Sequence, residues 1–143
     1  MVLNKEFKFD AAHLLPNHKG QCKNLHGHTY KLIISCAGEK ITTGTSKDMI
    51  IDFGDLKKIV EEIIISKFDH SFMYSDDSEV ENDIVKILKK YGLKVINIGC
   101  RTTAENIAAY IYNNLKKELM QTNIRLTKVT LFETETSFVE YGE

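Results

Sequence analysis

The sequence predicts an α+β fold in which an antiparallel sheet carries helices on one face, and three observations lead there. Residues 3–13 and 28–36 alternate with period two on either side of a loop, the middle of the chain switches to a helical period, and extended patterning returns after residue 124. The order is strand, strand, helices, strand, strand. Over 143 residues this is the size of a single domain, 1–143, with one core.

Leu3, Lys5, Phe7, Phe9, Ala11 and His13 share one face and Asn4, Glu6, Lys8 and Asp10 the other, which predicts a half-buried strand whose inward face ends in a histidine. A loop with the only proline, Pro16, and Gly20 follows, and then His28, Tyr30, Leu32, Ile34 and Cys36 mark a second strand. Gly38 and Thr42-Thr43-Gly44 turn the chain. Leu56, Ile59, Val60, Ile63 and Ile64 recur at helical spacing and predict a helix ending near Asp69. Val80, Ile84, Ile87, Leu88 and Tyr91 predict a second helix, stopped by Gly92, with Val95–Ile98 as a short extended piece. Residues 76–100 are thus expected to be a helical elaboration. Thr102-Thr103-Ala104-Glu105 has the form of a capping box, with Thr102 as the cap, opening a third helix through Ile107, Ala108, Ile111, Leu115 and Leu119. Residues 124–133 and 136–141 are the closing strands.

Bulk properties exclude some functions. With 19 basic and 20 acidic residues, a net charge of −1 and no basic run, nothing recommends a nucleic-acid partner. No apolar run approaches the roughly 18–20 residues of a membrane span, and the start Met-Val-Leu-Asn-Lys-Glu lacks a signal-peptide core. Three cysteines at irregular positions, Cys22, Cys36 and Cys100, do not form a disulfide framework. The expectation is a soluble cytoplasmic protein with no membrane partner.

The chemistry lies in His13 and in the run Cys22-Lys23-Asn24-Leu25-His26-Gly27-His28. Imidazoles at i and i+2 on a strand project to one face, so His26 and His28 can grip one ion, and a neighbouring strand bearing His13 supplies a third nitrogen. Three protein ligands leave one position open, as in a catalytic rather than a structural Zn²⁺ site. Cys22, four residues before His26, is then a nucleophile or base held near the metal. Cys36 and Cys100 read as core residues, and His18 as a loop histidine.

Together with Phe9-Asp10-Ala11-Ala12-His13, Ile51-Asp52-Phe53, Asp69-His70, Thr103-Ala104-Glu105-Asn106 and Glu133-Thr134, this run resembles the superfamily of 6-pyruvoyl- and 6-carboxy-tetrahydropterin synthases over nearly the whole chain. The resemblance implies a tunnelling T-fold, a ββααββ unit with a four-stranded antiparallel sheet, joined to its copies as a barrel within a homohexamer with interfacial active sites. It implies zinc on His13, His26 and His28, Cys22 as general base, Asp69 and His70 in proton relay, and Glu133 as both pterin anchor and relay member, with Glu135 as a nearby decoy. Thr103 and Glu105 are candidate substrate contacts, although a capping role already accounts for Glu105 locally.

Three residues between the cysteine and His-Gly-His is similar to the bacterial carboxy-forming pattern. That branch implies conversion of 7,8-dihydroneopterin triphosphate to 6-carboxy-5,6,7,8-tetrahydropterin, acetaldehyde and triphosphate, in queuosine biosynthesis. The alternatives are the pyruvoyl-forming reaction and a non-catalytic pterin- or zinc-binding module. The folate-precursor branch typically has glutamate where Cys22 stands. Two departures from the family pattern are visible: Ser71-Phe72-Met73-Tyr74 follows Asp69-His70 where a Leu-Asn pair is common, and Thr102 stands where proline is common.

Overall fold

The period-two pattern is realised as one long antiparallel hairpin. In the computed structural model, which describes Met1–Glu143, strand β1 (Val2–His13) pairs with β2 (His26–Gly38) in continuous register, from Val2 opposite Ala37 to His13 opposite His26. The last strands, β5 (Ile124–Phe132) and β6 (Phe138–Gly142), extend the sheet antiparallel on the β2 side, with a bulge in β5 at Thr127, opposite the Ser35–Cys36 step of β2.

The sheet is larger than expected and mixed. Strands β3 (Ser71–Tyr74) and β4 (Val95–Asn97) add in parallel on the β1 side, giving six strands in the order β4-β3-β1-β2-β5-β6 rather than four antiparallel ones. The extended piece at 95–98 was foreseen; Ser71–Tyr74 was not. Its physical reason is burial on both sides, which erases alternation: Met73 joins the main core while Phe72 and Tyr74 pack with Leu14 and Val85 in a second cluster.

Three helical segments lie where the period predicted them. Helix α1 (Phe53–Val60) is capped by Asp52, whose Oδ1 accepts the Gly54 N–H at 2.6 Å, and it runs through a π-helical turn, Glu61–Ile65, into α2 (Ser66–Phe68), which ends at Asp69. Helix α3 (Glu79–Lys90) is capped by Ser78 and closed by Gly92 at φ +68, the left-handed geometry that glycine adopts without Cβ strain. Helix α4 (Ala104–Leu119) begins one residue later than the sequence suggested: Thr103, not Thr102, is the cap, its Oγ1 accepting the Asn106 N–H at 3.4 Å.

The helices do not all share a face. Residues of α1, α2 and α4 close the main core over Phe7, Phe9, Tyr30, Leu32 and Ile34, whereas α3 reaches the opposite face of β3 through Val85. Along β1 the alternation carries Phe9, Ala11 and His13 into the helix-covered side and Asp10 to the other. That division decides where each functional side chain can act.

Leu115 is fully buried on α4, and Ile87 on α3 is largely exposed. Urea unfolding should therefore show Leu115→Ala costing about 2–5 kcal/mol and Ile87→Ala less than about 0.5 kcal/mol.

Candidate active site

Two strand ends and one helix start meet at the site. Register places His13 directly opposite His26 and Ala11 opposite His28, so both strands turn histidines to the helix-covered face. The ligand-capable atoms of His13, His26 and His28 lie within 4.8 Å of one another. Two are oriented by backbone carbonyls: His13 Nδ1–H donates to Thr102 O at 2.8 Å and His26 Nδ1–H to Asn24 O at 2.7 Å, which leaves each Nε2 as the lone-pair nitrogen.

The structure bears on whether a metal fits. Nε2 of His13 and of His28 are buried with no hydrogen-bond partner, an expensive arrangement unless a ligand takes the lone pairs. Burial lowers the His13 pKa to about 4 and holds His28 below the ordinary range as well, so both imidazoles are neutral, the form that binds metal. A divalent ion with nitrogen preference fits this set.

Glu133 follows the last residue of β5, and its N–H donates to Ser137 O at 3.0 Å in the turn toward β6. Its Oε1 lies 3.8 Å from His13 Nε2 and 3.9 Å from His28 Nε2, at the mouth of the same site. Glu135 instead lines a pocket on the polar sheet face with Lys8 and Lys31. Cys22 is half-buried in the turn Gln21–Lys23, its carbonyl accepting the Leu15 N–H at 2.8 Å, and it stands outside the three-histidine group.

Asp69 and His70 are brought together, but not with the histidines. His70 Nδ1 lies 2.9 Å from Asp69 Oδ2, and Asp69 Oδ1 accepts the Asp10 N–H at 2.9 Å, which holds its carboxyl below the usual range. His70 takes φ +60, outside the region that side chains prefer, and its N–H donates to Asp10 O at 2.7 Å. The dyad clusters with the Asp10 carboxylate, which alternation puts on the face opposite His13, and the His70 side chain is 76% exposed.

At the start of α4, the Thr103 hydroxyl is occupied by capping and Glu105 is exposed. Thr102, read from sequence as a cap, is fully buried; it supplies the carbonyl that orients His13, and its hydroxyl donates to Leu14 O at 3.2 Å. Sequence held no signal for a carbonyl contact across 89 positions. Cys36 is buried in the core, its thiol pushed up to about 11 by that burial, and His18 bonds only its own loop, at Gly20 N–H.

With this geometry in view, the model of the 6-pyruvoyl tetrahydropterin synthase family matches residues 2–143. The chain belongs to that family. Among relatives, the 6-carboxy-5,6,7,8-tetrahydropterin synthase of Haemophilus influenzae is 45% identical over 141 residues, covering 99% of this chain and 98% of that one. The protein of the same name from Rickettsia typhi is 36% identical, with 95% and 96% covered. Among solved structures, the 6-pyruvoyl tetrahydropterin synthase of Caenorhabditis elegans has a TM-score of 0.69 at 25% identity, covering 100% of this chain and 95% of that one. An uncharacterized protein of Wolinella succinogenes reaches 0.82 at 17%, covering 100% and 98%, a likeness of fold alone. No helix of this family member is long and apolar enough to cross a membrane.

The depressed His13 pKa has a definite sign for stability. The unfolded chain takes up a proton near pH 6.5 that the metal-free folded state refuses until about pH 4. Melting of metal-free protein should be insensitive to this group above pH 6.5 and lose on the order of 3 kcal/mol as pH falls towards 4, a loss that His13→Gln should flatten.

Proposed function

We propose that this chain is a carbon–carbon lyase, converting 7,8-dihydroneopterin triphosphate to 6-carboxy-5,6,7,8-tetrahydropterin, acetaldehyde and triphosphate on the way to queuosine and other 7-deazapurines. The carrying observation is the three-imidazole group with orphaned lone pairs, in a chain 45% identical to a protein named for that product. The carboxy outcome is preferred to the pyruvoyl one because the pyruvoyl-named structures are more distant, at 25% identity or less.

His13, His26 and His28 would hold zinc, which as a Lewis acid supplies polarisation of the substrate's side-chain oxygens and favours proton loss beside the ring. Cys22, in the turn entering β2, accepts that proton as its thiolate. Glu133 offers two carboxylate oxygens to the adjacent N–H donors of the pterin ring and takes part in proton relay. Thr103 and Glu105 border the pterin at the start of α4.

Asp69 fixes the His70 tautomer through Nδ1, leaving Nε2 to exchange a proton. Because the dyad faces away from the three histidines within one chain, it serves the site of a neighbouring copy. This supports a homohexamer with interfacial active sites, its sheets joined as a barrel, each subunit being one T-fold domain with residues 76–100 as an elaboration. Free cysteines throughout support residence in a reducing cytoplasm.

Zinc-loaded protein incubated without oxygen with 7,8-dihydroneopterin triphosphate should yield the 6-carboxy product and acetaldehyde by mass spectrometry, and Cys22→Ala should lower the rate by about 10²-fold or more. A 6-pyruvoyl product would overturn the carboxy reading, and pterin binding without turnover would favour the binding module. Subunit sharing has its own check: Cys22→Ala and His70→Ala proteins, each inactive alone, should regain part of the activity when their subunits are mixed.

A further inference from the structure

Tyr30 sits two residues beyond His28 on the same face of β2 and is fully buried, yet its hydroxyl has no hydrogen-bond partner. Packing accounts for the ring. It stacks on Phe9 at 5.0 Å and meets the rings of His28 at 5.5 Å and His13 at 6.3 Å. Packing does not account for the oxygen, since phenylalanine would fill the same space without burying an idle donor.

The strand register says what the hydroxyl can serve. Strand β5 pairs with β2 so that Leu131 lies opposite Leu32 and Phe132 opposite Lys31, where the pairing ends just before Glu133. Phe132 points to the polar face, where Lys31 Nζ lies 3.9 Å from its ring centroid, whereas the Glu133 carboxylate lies beside His13 and His28, on the face of β2 that carries Tyr30. With Oε1 within 3.9 Å of two Nε2 atoms, Glu133 is placed to fall onto any cation held there, which would occupy the open position and withdraw the carboxylate from a pterin.

We propose that Tyr30 is a positioning residue for Glu133, its buried hydroxyl donating to the carboxylate in the loaded site and holding it towards the pterin N–H donors. This rests on the reading of Glu133 as the pterin anchor. The hydroxyl is then a specificity element of the pocket and not a core contact. Removing it leaves the packing intact and frees the carboxylate.

The test compares zinc-loaded wild-type and Tyr30→Phe proteins by equilibrium titration with neopterin, followed by fluorescence. Tyr30→Phe should bind about tenfold more weakly, with zinc retention against a chelator undiminished and the melting temperature of the metal-free protein equal or higher. In a Glu133→Gln background the tenfold step should disappear, as expected of a residue acting through the carboxylate. Unchanged neopterin affinity in Tyr30→Phe, an undiminished step in the Glu133→Gln background, or a parallel loss of melting temperature would overturn the proposal. Failure of the wild-type protein to bind neopterin would overturn the functional reading, and this inference with it.

Discussion

The rest of the structure depends on the register that sets His13 against His26. A slip of one residue between β1 and β2 would turn the histidines of one strand to the opposite face of the sheet, and with them half of the apolar set that fills the core. The hydrophobic requirement of Phe7, Phe9, Tyr30, Leu32 and Ile34 therefore enforces the same pairing that assembles the site. Site and core are specified by one choice.

A second constraint is the tie between His13 and Thr102. The carbonyl that orients the imidazole belongs to the residue just before the cap of α4, and the hydroxyl of the same residue returns to the end of β1 at Leu14. Helix α4 and strand β1 are thereby fixed to each other at the edge of the site. Where proline would stiffen this position through its own ring, threonine does so through two hydrogen bonds.

What was legible from sequence followed periodicity. The long hairpin, the helical segments, the glycine stop at Gly92 and the same-face placement of His26 and His28 were all readable. Ser71–Tyr74 was not, because cover on both faces removes the alternation that announces a strand. Parity also fails to separate Glu133 from Glu135, which would share a face if β5 continued. The strand stops at Phe132, and the turn closed by Ser137 O sends the two carboxylates to different surroundings. Chemistry routed through main-chain atoms, as at Thr102 and Asp10, leaves no mark in side-chain patterns.

The positive φ of His70 carries a consequence for how this protein can change. Glycine would relieve the backbone at that position, so drift towards greater stability alone leads away from the imidazole. The two Asp10 main-chain bonds hold the strained turn whichever residue occupies it. Thermostability and the proposed role of the dyad thus compete for one dihedral angle, and a selection that scored only folding would erase the dyad while improving the protein by its own measure.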